Sequence, residues 1–477
     1  MAGTNRGPRI SRRVFMQGLG AATILAACGS QGDDAAVPEE PTVPVGETPT
    51  ETTFQDPQSQ LSGDLRILLW SHFVPQHDTW FDPFAQEWGR MAGVNVTVDH
   101  INNAEIPGRI AAEIAAGEGH DVIQYIAPLA QFEPSVLDLR DLTEEAVNRF
   151  GEQTELCVKS SFNPNTEKFY AYSPSWVPDP GDYRKSLWEQ VDMPDGPSTW
   201  DDLLEGGTRI KDELGVQLGI GLSQEIDSNM AARALIWSFG GSIQDENENV
   251  VINSPEVVAA VEFMADLYRN TMTEEVFAWN AASNNQGLIA GGLSYIVNSI
   301  SAWRTAQEVN PTVADDIFFV PALEGPSARL SAQHVMYNWI IPTHAANPDA
   351  AQEFLLHYTL NFDHASFNSR LYDFPAFVDR VPNLNAWLAE DPFGANPPDK
   401  LALLNIDDAL QWTANIGHPG PANPAVGEVF NTFVVSNMMA KAARGEATPE
   451  QAVQDAEREI ETIFEKWRRQ GLVGGGQ

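Results

Sequence analysis

Tryptophan side chains at the ends of predicted strands are the residues of this sequence best suited to hold a polyhydroxylated ligand. The chain has 13 tryptophans, and Trp70, Trp176 and Trp303 fall where an apolar run ends or a loop begins. The weakly polar CH face of a sugar can stack on the flat face of an indole ring. Trp70 is favoured because Ser71 and His72 follow it at the end of the first predicted strand. Each ring could also be packed in the core, because tryptophan is highly buried on average.

The sequence contains none of the short motifs that would indicate catalysis. It has no G-x-S-x-G, no G-x-x-x-x-G-K-[ST] and no G-x-G-x-x-G behind a strand, which are the patterns that position nucleophiles and phosphates. Its nine histidines form no H-E-x-x-H pattern, so we expect neither a metal nor a cofactor. A glycoside hydrolase remains an alternative, because its two carboxylates could come from distant segments.

The elements that must position these residues are a strand over residues 64–70, a second over 94–101 and a third over 122–125. Helical spacing of apolar residues separates each strand from the next. This βαβαβ order predicts an α/β fold with a mostly parallel sheet and helices on both faces. Ligands of such sheets gather at the carboxyl ends of the strands.

Further helices are indicated by capping residues downstream. Thr199 or Ser198 can cap a helix that begins near Trp200, and Pro255 and Pro348 lie just inside two more helix starts. The last 30 residues place apolar side chains on one helical face. A new globular unit is expected to begin in the 170s, and a chain of 477 residues is long enough for two domains.

The first 28 residues have the pattern of an export signal. Arg12 and Arg13 precede the uncharged run Val14 to Ala27, which is too short to span a bilayer comfortably. "SRRVFM" resembles the twin-arginine translocation signal, although Gln17 stands where that signal often has lysine. "LAAC", ending at Cys28, resembles a lipobox, so we expect lipidation of Cys28 and attachment to the membrane. An ordinary secretory peptide that happens to contain cysteine is the alternative.

Composition predicts the conformation of the segment after Cys28 and excludes one class of partner. Residues 29–62 are rich in Pro, Thr and acidic side chains, which predicts a disordered tether. The net charge of −38 repels phosphates and excludes nucleic acid as a favourable partner. Only Cys157 remains beside Cys28; we expect it to be a small buried apolar residue, and no internal disulfide.

From Asp64 to about Trp467 the chain resembles the extracellular solute-binding proteins of ABC importers, in the branch similar to maltose-binding protein. The resemblance lies in the order of several short segments: "GHDVIQ", "YAYSPSW", "GPSTWDDL", "WSFGGSI", "NSPEVVAAVEF", "GGLSYIVNSISAW" and "NPDAAQEFLLHY". It implies a two-lobed type II periplasmic-binding-protein-like fold with a hinged cleft, in which each lobe has a mixed, mostly parallel sheet flanked by helices. It also implies lobe 1 over 64–172 with 295–361, and lobe 2 over 173–294 with 362–477.

The resemblance further implies which side chains contact the solute. Asp121 matches the family's position at a strand entrance, where an acid can accept hydrogen bonds from hydroxyls, and its alternative role is to cap the turn at Gly119. Gln124 and Tyr125 follow on the same strand. Asn298 is a counterpart from the segment after "GGLSYIV", together with Trp303.

The implied function is capture of a small solute, a sugar above all, by a monomeric lipoprotein that delivers it to the permease of an ABC transporter without catalysis. Extra prolines in "YAYSPSWVPDPGDYRKSLW" depart from the family pattern. A carbohydrate-active enzyme and a structural or adhesive lipoprotein are the alternatives.

Overall fold

The computed structural model of the protein describes residues 48–49 and 51–476. They belong to one compact unit, Val45–Gln477. The predicted export signal, Cys28 and most of the predicted linker lie outside the described residues. Within the described residues, no helix combines the length and apolarity needed to cross a membrane.

The structure is an α/β fold with 15 strands and 18 α-helices in its described part. The strands are β1 Asp64–Trp70, β2 Asn95–Ile101, β3 Val122–Tyr125, β4 Phe162–Asn163, β5 Lys168–Phe169, β6 Ser175–Val177, β7 Gly181–Arg184, β8 Gln217–Gly219, β9 Leu293–Val297, β10 Ile317–Val320, β11 Ser331–Ala332, β12 Val335–Met336, β13 Asn338–Ile340, β14 Phe374–Pro375 and β15 Thr413–Ala414. The α-helices are α1 Gln76–Ala92, α2 Ile106–Ala116, α3 Arg140–Phe150, α4 Glu155–Lys159, α5 Lys185–Glu189, α6 Trp200–Arg209, α7 Ile226–Ser238, α8 Pro255–Thr271, α9 Ser283–Ile289, α10 Ser301–Val309, α11 Pro311–Asp316, α12 Pro348–Leu360, α13 Phe362–Asn368, α14 Leu384–Ala389, α15 Ile406–Trp412, α16 Pro424–Asn431, α17 Val434–Ala443 and α18 Pro449–Arg468.

The first sheet has the order β13-β3-β1-β2. Strands β1, β2 and β3 are parallel, as their connection through α1 and α2 requires. Strand β13 joins the edge antiparallel to β3. This sheet confirms the predicted βαβαβ order and is mixed but mostly parallel.

The second sheet has the order β10-β7-β9-β8 and corrects the expectation of a mostly parallel sheet. Strand β7 is antiparallel to both β9 and β10, and only β8 and β9 are parallel. Strand β7 is the first strand of this sheet in the chain and starts at the hinge side. Strands β9 and β10 lie on either side of β7 and run in the opposite direction. Strands β9 and β10 therefore pair with β7 and β8, whereas the resemblance implied that residues 295–361 belong with the first sheet in lobe 1.

A small third sheet connects the two larger ones. Its order is β12-β6-β14, with both neighbours antiparallel to β6. Strand β6 lies just before β7 of the second sheet, and β12 just before β13 of the first. We call this three-stranded element the hinge sheet, since each of its strands lies where the chain passes from one region of the fold to another.

In both larger sheets, the edge formed by the carboxyl ends of the strands, where a ligand is predicted to bind, lies at the hinge sheet. Strand β13 leaves the hinge sheet and is antiparallel to β3, so β1 and β3 both run toward the hinge sheet. Strand β7 also leaves it, so β8, β9 and β10 run toward it. The carboxyl ends of these five strands therefore converge on one region, as expected for a ligand site.

The helices predicted from capping residues are present. Thr199 and Asp202 form a capping box at the start of α6, and Asn347 caps α12. Helix α7 is buried along its whole length, and α18 buries the apolar face that the sequence predicted. Cys157 is buried and free, and burial raises the pKa of its thiol to about 12.

The described end of the predicted linker lies against the folded body and not free of it. The backbone N–H of Thr53 donates to Asn361 Oδ1 at 2.6 Å, and Asn361 Nδ2 donates back to the Thr53 carbonyl at 2.9 Å. Phe54 packs against the His357 ring, and Leu61 is buried. Hydrogen bonds and two apolar side chains thus hold a segment whose composition predicted disorder.

Asp121 ties the first sheet to the start of α12. One carboxylate oxygen accepts a hydrogen bond from the Arg66 N–H of β1 at 2.8 Å. The other accepts from the N–H groups of Ala346 and Asn347 at 2.7 and 2.9 Å. Both oxygens of this 3 % exposed side chain are therefore used by the backbone, which favours a structural role.

Asp121→Asn is expected to lower the free energy of unfolding by about 1.5–3 kcal/mol, because an amide cannot accept from all three N–H groups and hydrogen bonds to a charged acceptor are the stronger class. Urea unfolding measures this change. Asp212→Asn, on an exposed side chain, is the matched control and should leave stability within about 0.5 kcal/mol of wild type. Unchanged stability in Asp121→Asn would contradict the structural role.

Candidate functional site

The eight side chains predicted to bind a ligand are all buried. None has more than 6 % of its surface exposed. The structure distributes them over the end of β1, the entrance and end of β3, the hinge sheet and the segment after β9. They are Trp70, His72, Asp121, Gln124, Tyr125, Trp176, Asn298 and Trp303.

Trp70 and His72 lie together at the carboxyl end of β1. Their rings are stacked with centroids 4.8 Å apart. His72 Nε2 lies 2.8 Å from the hydroxyl of Tyr337, which follows hinge strand β12. The indole N–H of Trp70 has no partner among the described residues. The strand-end position predicted for these residues is confirmed, and contact with a ligand remains a prediction.

Three predicted residues lie at strand ends that face the hinge sheet. Gln124 and Tyr125 pair with β13, and the buried Gln124 Nε2 has no partner among the described residues. Burial raises the pKa of Tyr125, so its hydroxyl stays protonated and able to donate. Asn298 follows β9 and donates to the Ser299 carbonyl at 2.8 Å. Their ligand contacts also remain predictions.

Two of the predicted tryptophans have packing roles. The Trp176 indole N–H donates to the Pro375 carbonyl at 3.2 Å and so joins two strands of the hinge sheet. Trp303, inside α10, lies under the Arg304 guanidinium at 4.3 Å and edge-on to Phe319. Packing on this scale favours the core role that the sequence left open for each ring.

A cluster of four buried carboxyl groups lies beside the hinge sheet, and sequence reasoning missed it. Its members are Asp179 and Asp182, on either side of Pro180 and Gly181, and Glu225 and Asp227 at the start of α7. His334 Nδ1 lies 2.9 Å from Asp179 Oδ1 and 4.0 Å from Asp227 Oδ1. In the described part of the chain, no other basic side chain lies within 4.0 Å of these carboxyl groups. We call these five residues the hinge acid cluster.

Burial and mutual repulsion shift the protonation of this cluster. Burial raises the pKa of Asp182 well above its ordinary value, and the charges of Asp179 and Asp227 add to the rise. Burial likewise raises the pKa of Asp227, with Glu225 and Asp179 contributing. Burial raises the pKa of Asp179 although the neighbouring His334 opposes the shift. The cluster is thus a set of acids without enough positive charge to neutralise them.

Several oxygens of the cluster have no hydrogen-bond partner among the described residues. These are both carboxyl oxygens of Asp182 and Oδ2 of Asp179. By contrast, Asp227 Oδ2 accepts from Asn284 Nδ2 at 2.9 Å. A Cβ at Gly221 would lie 2.5 Å from Glu225 Oε1, so a larger residue there would displace the Glu225 carboxylate. Buried acceptors without donors are suited to a ligand that brings donors.

Aromatic contacts connect the hinge acid cluster to the end of β1. The His334 ring lies 6.2 Å from Phe73 and 6.1 Å, edge-on, from Tyr372. Tyr372 in turn lies 5.3 Å from His72. The cluster and the predicted residues Trp70 and His72 therefore belong to one continuous polar and aromatic region around the hinge sheet.

Trp279 is a partly exposed tryptophan that was not among the residues predicted to bind a ligand. All 13 tryptophans fall in the described part, and only Trp80 and Trp279 are not buried. Trp80 is stacked on Phe84. The Trp279 carbonyl accepts from Ser223 Oγ at 2.8 Å, which places its segment beside the loop that leads to Glu225. No sequence signal marked this position, because Trp279 follows a short 3-10 helix, Glu274–Ala278, and not a predicted strand.

Asp182→Asn is expected to stabilise the protein at pH 7 and much less near pH 4. A raised folded-state pKa means that the wild type loses stability as the pH rises from the ordinary value through the folded one. The loss amounts to about 1.4 kcal/mol per unit of pKa shift, and the neutral amide does not suffer it. Urea unfolding across this pH range measures the difference.

The matched control for this experiment is Asp399→Asn, an exposed carboxyl group. Its stability should follow the wild-type pH dependence. A wild-type pH slope retained in Asp182→Asn would show that Asp182 is ionised at little cost and would contradict its description as an unneutralised buried acid.

Comparison with solved structures agrees with the fold. A candidate oligosaccharide periplasmic-binding protein from Synechococcus, in complex with zinc, has a TM-score of 0.71 at 18% identity, with 84% of this chain and 100% of that chain covered. Maltose-bound MalE3 of T. maritima has a TM-score of 0.68 at 20% identity, with 84% and 100% covered. At such identities the likeness shows the fold, which is that of type II periplasmic binding proteins.

Sequence comparison gives the family. A binding protein of Brucella abortus is 22% identical over 175 residues, 36% of this chain, and the match spans 42% of the length of that relative. The family model described as bacterial extracellular solute-binding protein matches residues 79–392. Members of a family with that description lie outside the cytoplasm and bind solutes. The chain belongs to the bacterial extracellular solute-binding protein family.

Proposed function

We propose that the protein captures a sugar or oligosaccharide at the hinge sheet and delivers it to the permease of an ABC transporter. The observation that carries the proposal is the set of buried carboxyl oxygens without partners, on Asp179 and Asp182, at the convergence of strand ends. Sugar hydroxyls are donors that such oxygens can accept. The family and the sugar-binding neighbours support this assignment.

The hinge acid cluster would hold the polar edge of the solute. Each carboxylate oxygen accepts from hydroxyl groups, and hydrogen bonds to a charged acceptor are roughly twice as strong as neutral ones. Asn298 and Gln124, at the ends of β9 and β3, supply amide groups that can both donate and accept. The predicted role of these two residues is retained in the proposal, together with Trp70, His72 and Tyr125.

Trp279 is the proposed stacking surface for a sugar ring. It is partly exposed, and its segment is bonded to the loop that carries Glu225 and Asp227 into the site. An indole ring presents a large flat area at low cost in conformational entropy. It replaces Trp176 and Trp303, whose rings are committed to packing.

The lobes are proposed to follow the two larger sheets. Lobe 1 would hold the elements around β1, β2, β3 and β13, and lobe 2 those around β7, β8, β9 and β10. The hinge sheet between them would bend when the lobes close on the solute, which is a closure that a ligand selects by binding one state better. This assignment moves residues 295–320 from lobe 1 to lobe 2.

Trp279→Ala is expected to weaken binding of the solute at least tenfold, which corresponds to about 1.4 kcal/mol. A thermal-shift screen of mono- and oligosaccharides, including maltose and laminaribiose, identifies the solute, and isothermal titration calorimetry measures its affinity. Trp80→Ala, on the other partly exposed tryptophan, is the matched control and should retain wild-type affinity.

Three outcomes of this screen would contradict the proposal. No stabilisation by any sugar would overturn the solute class. Cleavage products from the same incubations would indicate a glycoside hydrolase instead. Equal affinities of Trp279→Ala and wild type would exclude the stacking role of Trp279.

The proposed anchor is a lipid on Cys28, after export by the twin-arginine route. Cys28 lies outside the described residues, so the support is the sequence "LAAC" after an uncharged run and the extracytoplasmic family. One lipid-modified residue joined to a linker would keep the binding protein near its permease.

Cys28→Ser is expected to release the protein from the membrane fraction into the soluble extracytoplasmic fraction, because the serine hydroxyl does not take the lipid. Cell fractionation and mass of the mature N-terminus measure the change. Cys157→Ser, on a buried cysteine, is the control and should stay with the membrane. Membrane association that persists in Cys28→Ser would exclude the anchor.

A further inference from the structure

Two buried side-chain atoms face each other near the hinge sheet without a hydrogen-bond partner. They are His77 Nε2 and Asp373 Oδ2, which lie 3.8 Å apart. Both side chains are nearly inaccessible, at 2 % and 0 % exposed. The distance is too long for a hydrogen bond between them, and burying two polar atoms in this way is costly.

A third side chain completes the arrangement. His72 Nε2 lies 3.3 Å from Asp373 Oδ1, and one ligand-type atom from each of His72, His77 and Asp373 lies within 4.8 Å of the other two. The two imidazole rings are stacked with centroids 4.3 Å apart. We call these three residues the triad; each of its side chains is buried.

The triad has the donor types and spacing of a metal site. Zinc in proteins is bound by imidazole nitrogen and carboxylate oxygen at about 2.0–2.2 Å, in tetrahedral geometry. Donors on such a tetrahedron are about 3.4 Å from one another. His72 Nε2 lies 3.3 Å from Asp373 Oδ1, and His77 Nε2 lies 3.8 Å from Asp373 Oδ2. One ligand atom from each residue lies within 4.8 Å of the other two, which is wider than a closed tetrahedron, so the side chains would move inward to reach one ion. We propose that His72, His77 and Asp373 bind a divalent transition-metal ion, zinc being the best match.

Neighbouring groups orient the two imidazoles. His72 Nδ1 lies 3.0 Å from the Val74 carbonyl and 2.9 Å from the Val74 backbone N–H, so Nδ1 has a partner in either tautomer. Binding of an ion at Nε2 requires the tautomer with the proton on Nδ1, which then donates to the Val74 carbonyl. His77 Nδ1 lies 3.4 Å from Asp78 Oδ1, and Asp78 also accepts from the His72 backbone N–H at 2.9 Å. Carboxylate or carbonyl partners on the second ring nitrogen are typical of metal-bound histidines.

A fourth position on the ion has a candidate in the Tyr337 hydroxyl or in water. The Tyr337 hydroxyl lies 2.8 Å from His72 Nε2 and donates to Asp373 Oδ1 at 2.5 Å. Without an ion, this network satisfies His72 and Asp373 Oδ1. It leaves His77 Nε2 and Asp373 Oδ2 without partners, and an ion between those two atoms would satisfy both.

An ion bound by the triad would link separate parts of the fold. His72 follows β1, His77 lies in the first turn of α1, and Asp373 immediately precedes hinge strand β14. A bound ion would therefore fasten the first sheet to the hinge sheet. Since it would bind the folded state alone, it would raise the melting temperature, and the rise would grow with the logarithm of the free ion concentration above the dissociation constant.

The test is titration of the purified full chain, stripped with EDTA, with zinc chloride alone. We expect one tight site per chain by isothermal titration calorimetry, a raised melting temperature, and loss of at least 30-fold in affinity in His77→Gln. His364→Gln, on a half-buried histidine outside the triad, is the matched control and should keep the tight site. Weak zinc binding to surface acids would persist equally in all variants.

Cobalt(II) substitution supplies a second readout that does not depend on variants folding. Four-coordinate cobalt with nitrogen and oxygen donors gives intense visible absorption, whereas hydrated cobalt absorbs weakly. The proposal is overturned if wild type shows no stoichiometric zinc binding and no such absorption, or if His77→Gln binds zinc as tightly as His364→Gln. Sugar binding is measured separately, so failure of the metal site leaves the proposed function intact.

Discussion

The three short strands of the hinge sheet are the constraint on which the site depends. Each belongs to a different part of the chain, and antiparallel pairing forces the residues at their ends to be neighbours. Asp179 comes two residues after β6, His334 one residue before β12, and Asp373 one residue before β14. The pairing that connects the two larger sheets thus also gathers the titratable side chains, so a change in the hinge sheet would alter the chemistry of the site.

The same geometry explains why so much unneutralised charge is tolerated at this place. A buried carboxyl group without a hydrogen-bond partner, such as Asp182, lowers stability. Crowding it with three other buried acids beside a single histidine lowers stability further. Such groups persist where selection for binding outweighs selection for stability. The hydrogen bonds that a solute would bring to Asp182 are the ones that the folded chain itself leaves unmade.

The sequence predicted the first sheet well because its information is local. Strands β1, β2 and β3 alternate with helices within about 60 residues, so the connection fixes their order and direction. The hinge sheet could not be predicted in this way. Its strands are two or three residues long and come from positions 175, 335 and 374, so neither periodicity nor spacing marks them. Asp179 and His334 are also far apart in sequence, so their contact could not be predicted either.

Residue type alone did not predict which side chains pack in the core and which could contact a ligand. Tryptophans where an apolar run ends were expected to contact a ligand. Trp176, in the middle of β6, and Trp303, inside α10, instead pack in the core, since a large ring in a buried element also fills the core. Asp121 has the expected place but binds backbone N–H groups. The extra prolines Pro178 and Pro180, which depart from the family pattern, flank Asp179, but nothing in the sequence singled out that acid.

Proline on both sides of Asp179 has a physical consequence for the hinge. A proline ring fixes φ, and the residue before a proline is held in extended conformations. Residues 177–180 therefore have few alternative backbone states, which limits the entropy lost when the Asp179 carboxyl is held beside His334 at 2.9 Å. A stiff segment between β6 and β7 would make the lobes move as bodies about the hinge sheet while the acid stays in place. In the proposed function, Asp179 would then stay beside His334 while the lobes close on the solute by a hinge motion.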